Sequence, residues 1–204
     1  LALELPLPKK VYVHGHYNVE GKKMGKSLGN VISPQELIDK YGVDGTRYLI
    51  AASMPYADDS DISFKWFSEK YNADLANGLG NLISRVAKLA EGKIYENAVF
   101  GIPFDKLVEQ YPELKDAYEN FRLQDVVAEW HKLVVGANEY LSVEQPWKKS
   151  GDEKNMVLSH AIDKILVIAL LAGPVIPQTS QEIRETFDKV AVKPSRILFQ
   201  RVEV

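Results

Sequence analysis

The chain has 204 residues, 46% hydrophobic and 26% charged, the composition of an ordinary soluble globular protein with room for one good core. A net charge of −3 argues against a uniformly basic nucleic-acid binder, and the lack of cysteine excludes disulfides and thiolate metal sites. No signal-peptide pattern opens the chain, and its longest apolar run, 165–173, is too short to span a bilayer, so a cytoplasmic location without a membrane partner is expected.

Leu1 already lies inside an apolar run, which suggests a piece of something larger. Residues 10–17 (KVYVHGHY) are β-branched and aromatic enough for a short strand ending in a loop at Gly21. Ser33-Pro34-Gln35-Glu36 supplies an N-cap, a proline at the first helical position and a capping-box glutamate. A short helix to about Tyr41 follows, closed by Gly42. Asp44 caps a second, 45–54, which Pro55 ends at the latest. Residues 56–62 read as a polar loop.

From Ser63 the apolar positions Phe64, Phe67, Tyr71, Leu75, Leu79, Leu82, Val86 and Leu89 step by three or four. They predict one amphipathic helix of about 28 residues, roughly 42 Å long. Gly78 and Gly80 in its middle predict a kink or the close approach of something bulky. After a loop at 101–112, a second long helix is expected at 113–141. A loop carrying Pro146-Trp147 comes next, then a nearly all-apolar helix at 155–172, broken by Pro174 and Pro177. A fourth helix is expected at 180–187, and an extended tail at 196–204. The fold class is therefore mainly α: an antiparallel helix bundle over 56–204, preceded by a smaller α/β unit over 1–55.

The stretch VEGKKMGKSLGN, 19–30, interleaves three glycines with three lysines and a hydroxyl, the chemistry of a phosphate-holding loop. It is not a P-loop. Gly21 and Gly25 are separated by three residues rather than four, and Gly29-Asn30 and Pro34 bar a helix from starting at Lys26. Lys23-Met24-Gly25-Lys26-Ser27 instead resembles the Lys-Met-Ser-Lys-Ser signature of class I aminoacyl-tRNA synthetases, with Gly25 in place of the first serine. Asp44-Gly-Thr-Arg47-Tyr48 resembles that family's Asp-x-x-Arg-Tyr helix. The resemblance implies a mobile loop that closes over ATP, its magnesium included. Lys26 is then the main phosphate contact, Lys23 a supporting one, and Ser27 and Gly25 complete the cradle. The chemistry is consistent: negative charge builds on departing pyrophosphate, and ammonium groups aimed there favour the transition state. His14 and His16 point to one side of a strand without further ligands nearby in sequence. No metal site is expected, and His14 is placed near the nucleotide.

A second resemblance narrows the family. Residues 71–85 (YNADLANGLGNLISR), the preceding DISF…F segment, Glu144-Gln145-Pro146-Trp147 and the tail ILFQR are similar to the anticodon-binding domain of methionyl-tRNA synthetases. Gln200 replaces the usual proline. Asn77, Asn81 and Arg85 recur every four residues and form a polar stripe. Asparagine is a poor mid-helix residue, so the stripe wants a reason, and hydrogen bonding to unstacked bases is one. Trp147, set by Pro146, is a stacking plane, worth about 1–3 kcal/mol per base. The resemblance assigns anticodon reading to Asn81, Arg85 and Trp147. Asn72 and Asn77 are expected to cap or bridge within the bundle. Residues 1–30 carry +3 and residues 64–93 carry +2, so local charge suits RNA although the total does not.

The family's His-x-Gly-His signature is absent, and the chain has no room for its nucleotide-binding sheet. The expectation is the C-terminal part of a methionine–tRNA ligase, inactive alone, serving tRNA(Met), ATP and methionine. The alternatives are another class I synthetase of the leucine, isoleucine, valine and cysteine subgroup, or a free-standing tRNA-binding module.

Overall fold

The computed structural model describes residues 7–8, 10–54, 58–95, 99, 101–187, 191–194 and 196–204. The helix-ending role expected of Pro55 lies outside them. Three short strands form one sheet: β1 (Tyr17–Val19), β2 (Lys22–Lys23) and β3 (Ser60–Ile62), in the order β2-β1-β3. β1 runs antiparallel to β2 and parallel to β3, with Asn18 opposite both Lys23 and Asp61. Two expectations change here. The strand predicted over 10–17 is confined to its last residue and the two beyond, because only there does a neighbour complete the ladder. Val11 and Val13 are instead 80% exposed. The supposed loop 56–62 contributes β3, which takes the free edge of β1.

The capping box forms as read. Ser33 Oγ accepts from Gln35 N–H, Glu36 accepts from Ser33 N–H, and Pro34 opens α1 (Pro34–Ser53). Gly42 interrupts it with φ 72°, so the two expected helices are two halves of one kinked element. Asp44 does not cap its own second half. Its Oδ2 accepts from Thr179 N–H at 2.6 Å, in the first turn of α8 (Pro177–Thr186), and so caps a helix 135 positions away.

The long helix is continuous but not uniform. α2 (Phe64–Lys70) and α3 (Asn81–Ala90) flank a π-helical stretch, Tyr71–Gly80. The wide turn coincides with both glycines, and a Cβ at Gly80 would come within 3.1 Å of Leu75 O and 3.9 Å of Phe199. The predicted helix over 113–141 is two helices, α5 (Pro112–Glu119) and α6 (Leu123–Glu144). Phe121 between them has φ 58°, and Arg122 pairs with both Asp116 and Asp125 across the break. The spacing of Tyr118 and Phe121 matches a helix, which hid the interruption. A short α4 (Phe104–Val108) occupies the expected loop. α7 (Gly151–Ala172) starts four residues early, and α8 begins at Pro177, a residue read as a breaker.

By length and composition α7 could cross a membrane. Here it is the central helix of the bundle, with Leu158, Ile162, Ile165, Ile168 and Leu171 buried. It packs on α6, α8, α3 and α4.

α1 is fastened to this bundle by three side chains of one motif. Besides Asp44, Arg47 donates to the carbonyls of Val175 (2.9 Å) and Pro174 (2.8 Å). Tyr48 OH donates to Asp74 Oδ2 at 2.7 Å. Gly45 allows the approach, since a Cβ there would sit 2.8 Å from the Tyr71 ring. Replacing Asp44 by Ala should remove the cap of α8 and lower the stability of the chain by about 1–2 kcal/mol, read from urea denaturation followed by circular dichroism. An unchanged midpoint would show that the Asp44–Thr179 bond contributes nothing.

Candidate nucleic-acid interface and lysine loop

Asn81 and Arg85 sit on the first turns of α3, and the neighbouring apolar residues Leu82, Ile83 and Val86 are buried. Amphipathic spacing thus turns the polar pair outward: Asn81 is exposed and Arg85 half-buried. Trp147 comes from a separate element, the 3₁₀ turn Pro146–Lys148 between α6 and α7. Gln145 ends α6 in the left-handed conformation (φ 46°, ψ 57°), its N–H donating to Leu141 O. Pro146 is buried, so the chain turns sharply and Trp147 is left 45% exposed. The Arg85 guanidinium carbon lies 5.0 Å from the Trp147 ring centroid, a cation–π contact. Two residues 62 positions apart in sequence therefore share one surface.

The tail forms the other side of this surface. Phe199 is buried edge-on against Tyr71, with centroids 5.9 Å apart. Asn72 grips the backbone of Val202 with both amide atoms, accepting from its N–H at 3.0 Å and donating to its carbonyl at 2.8 Å. Asn77 Oδ1 accepts from Arg201 Nε at 2.8 Å. Asn72 and Asn77 thus bridge, as expected, but to the strap rather than within the bundle. Between helix and strap lies an open cavity of about 360 Å³, lined by Asn77, Asn81, Ser84, Ile197 and Arg201 among others. Arg201 is a residue that periodicity could not single out, because the tail has no helical partner in sequence. Its signal was the pairing of a basic side chain with an otherwise unexplained mid-helix asparagine.

The lysine loop grows from the β1–β2 hairpin. Glu20 (φ 52°) and Gly21 (φ 74°) make its two-residue turn, and Gly21 N–H donates to Asp61 Oδ1 of β3. Lys26, Ser27 and Leu28 form a single 3₁₀ turn closed by Gly29 at φ 65°. Lys22, Lys23, Lys26 and Ser27 are exposed, and none of the three lysines is ion-paired among the described residues. Gly25 is extended (φ −163°), and a Cβ there would meet nothing nearer than Ser27 Oγ at 3.9 Å. Asn30 braces the loop from inside, accepting from Gly25 N–H at 2.9 Å and donating to Lys23 O at 3.3 Å. Asn30 was quoted within the motif, but spacing alone gave it no role.

His14 Nδ1 lies 2.7 Å from Gly15 O, while His16 N–H donates to Asp59 Oδ1 at 2.7 Å. That backbone bond, more than the His16 ring, holds the Asp59 carboxyl below its ordinary range. The two histidines thus have separate hydrogen-bond environments.

Residues 1–87 match the family model described as class I tRNA synthetases (M). Residues 95–196 match that of the anticodon binding domain of methionyl tRNA ligase. Similar curated proteins include the methionine–tRNA ligase of Thermotoga maritima, 35% identical over 96% of this chain and 33% of its own length. That of Caldanaerobacter subterraneus subsp. tengcongensis is 32% identical over 100% of this chain and 37% of its own. The chain thus spans about a third of these relatives. The free-state crystal structure of Mycobacterium tuberculosis methionyl-tRNA synthetase superposes with a TM-score of 0.75 at 22% identity, over 98% of this chain and 45% of that one. The same enzyme in complex with methionyl-adenylate gives 0.68 at 25% identity, over 97% of this chain and 43% of that one. With one family model lying along residues 95–196 and methionine–tRNA ligases aligned over nearly the whole length, the chain belongs to the methionyl-tRNA synthetase family.

Proposed function

We propose that the chain is the C-terminal portion of a methionine–tRNA ligase acting in the cytoplasm. Residues 1–55 are the end of its catalytic domain and 56–204 its anticodon-binding domain. It binds the anticodon of tRNA(Met) and contributes the lysine loop to methionine activation by ATP. The observation that carries this reading is the solvent-open grouping of Asn81, Arg85 and Trp147 on one surface. An amide, a planar cation and an indole are the groups that read unstacked bases: edges by hydrogen bonds, faces by stacking.

In this reading Lys26 and Lys23 approach the triphosphate, and Ser27 and Gly25 line its path. The lysines fit that role because they are exposed and, among the described residues, form no ion pair that a phosphate would have to displace. Magnesium arrives with the nucleotide. Methionine and the adenine pocket belong to the portion of the relatives that this chain does not span, so the chain alone should show no pyrophosphate exchange.

Asn81→Ala or Trp147→Ala should weaken binding of a CAU anticodon stem-loop by about 1–3 kcal/mol, roughly five- to 150-fold, and of a scrambled loop far less. Equal losses on both RNAs, by fluorescence anisotropy at fixed salt, would make these residues structural. Lys26→Ala in the full-length ligase carrying this sequence should slow methionine-dependent pyrophosphate exchange about a hundredfold and leave anticodon affinity unchanged. Exchange at the wild-type rate would remove its phosphate role. Gly25→Ser should cost less than about 0.5 kcal/mol, because the backbone is extended and the side chain meets open space. A larger drop in thermal midpoint would mean the position needs glycine.

A further inference from the structure

Trp147 can stack on RNA only if its turn is held, and the turn is short of local support. It spans three residues and follows a non-glycine residue in the left-handed region, a conformation that persists only when its surroundings determine it. Its own backbone bonds are Lys148 N–H to Gln145 O at 2.8 Å and Lys149 N–H to Pro146 O at 3.3 Å. Among the described residues no side chain caps either the 3₁₀ turn or the start of α7.

One side chain compensates. Lys149 Nζ lies 2.9 Å from Glu144 Oε2 and 2.9 Å from Glu153 Oε1. Glu144 is the last residue of α6, and Glu153 is in the first turn of α7. The ammonium therefore ties together the two helix ends between which the Trp147 turn is strung. It also relieves a conflict, since a carboxylate at a helix C-terminus faces the negative end of the dipole. Isolated exposed ion pairs contribute little. This one differs in that a single cation serves two anions and is only 22% exposed. The two glutamates raise the Lys149 pKa, Glu144 foremost through its hydrogen bond, so the bridge stays charged.

We propose that Lys149 is a positioning residue for anticodon recognition: bound to Glu144 and Glu153, it latches the α6–α7 turn so that Trp147 faces RNA. The inference rests on the reading of Trp147 as a stacking residue. It does not require Lys149 to touch RNA, and this separates it from a simple phosphate contact.

The test uses the whole 204-residue chain and a CAU anticodon stem-loop as probe. Lys149→Ala should weaken binding about five- to tenfold, and Lys149→Arg, which keeps the bridge, less than about twofold. In a Trp147→Ala background, Lys149→Ala should have no further effect. A lysine that contacted phosphate would lose the same factor in both backgrounds. The paired change Glu144→Gln with Glu153→Gln makes the surface more positive, so plain electrostatics predicts tighter RNA binding, whereas a latch predicts weaker binding. Acrylamide quenching of the Trp147 emission, isolated by subtracting the Trp147→Phe protein, should rise in Lys149→Ala. Wild-type affinity of Lys149→Ala, an unchanged loss in the Trp147→Ala background, or tighter binding by the double glutamine protein would each overturn the latch. Should Trp147→Ala itself bind normally, the stacking reading fails and the latch with it.

Discussion

Asp74 is a carboxylate shut inside the bundle, 6% exposed, and the groups that satisfy it come from three stretches of chain. Tyr48 OH reaches it from α1, and Lys70 Nζ reaches it from one turn upstream, each at 2.7 Å. His131 Nε2 approaches from α6 at 3.7 Å. A buried charge stripped of one such group is costly, on the order of 3–5 kcal/mol, so the three elements are not free to slide. Burial, and then the adjacent charge of Asp74, push the Tyr48 hydroxyl far above its ordinary range. It therefore remains a donor at any working pH. Because α1 follows the lysine loop and the π-helical stretch leads into Asn81, one buried carboxylate sets how the loop's supporting helix sits on the helix that carries the proposed reading face.

Local rules worked where local chemistry decides. Ser33, Pro34 and Glu36 make the cap they spell, because every atom involved lies within four residues. They failed where a distant group decided. Asp44 looked like the cap of its own helix, yet the Thr179 N–H of α8 claims its Oδ2. β3 could not be seen in a polar run, because its strand character comes from the edge of β1 rather than from its own side chains. The break at Phe121 was masked by correct helical spacing on both sides. Arg122 was the clue, a cation with acidic residues six before and three after it, placed to bridge a turn rather than to continue a helix.

The site was legible to the same degree and for the same reason. The stripe Asn77, Asn81, Arg85 follows from spacing on one helix. The meeting of Arg85 with Trp147 does not, since it depends on how α6 and α7 pack against α3. The asparagines also divide in a way that spacing cannot reveal. Asn72 and Asn77 hold the tail by hydrogen bonds, whereas Asn81 faces Ile197 and Arg201 only across the open cavity and is exposed. The ten-residue π stretch was signalled only as two glycines, because the sequence shows where a helix is weak but not which way it yields.

The two candidate sites of the chain are built on opposite physical terms. Around Trp147 the Arg85 contact, the buried Pro146 and the Lys149 bridge restrict motion, which suits the proposed stacking on a base. The lysine loop has a firm frame but free tips: Asn30 and Asp61 hold its backbone while its ammonium groups stand in water. A lysine in water keeps its hydration until a polyanion replaces it, so on the proposed reading the phosphates would order the ammonium groups rather than the loop backbone. On the proposed reading a base must be told from three others, and that calls for rigidity. The triphosphate of the proposed reading would have to be admitted, grasped and released as pyrophosphate, and that calls for a loop able to move. The motif Asp44, Arg47 and Tyr48 ties α1, which follows the lysine loop, to the helices that carry the Trp147 surface, so the two ends share one packed support while each keeps its own mechanical character.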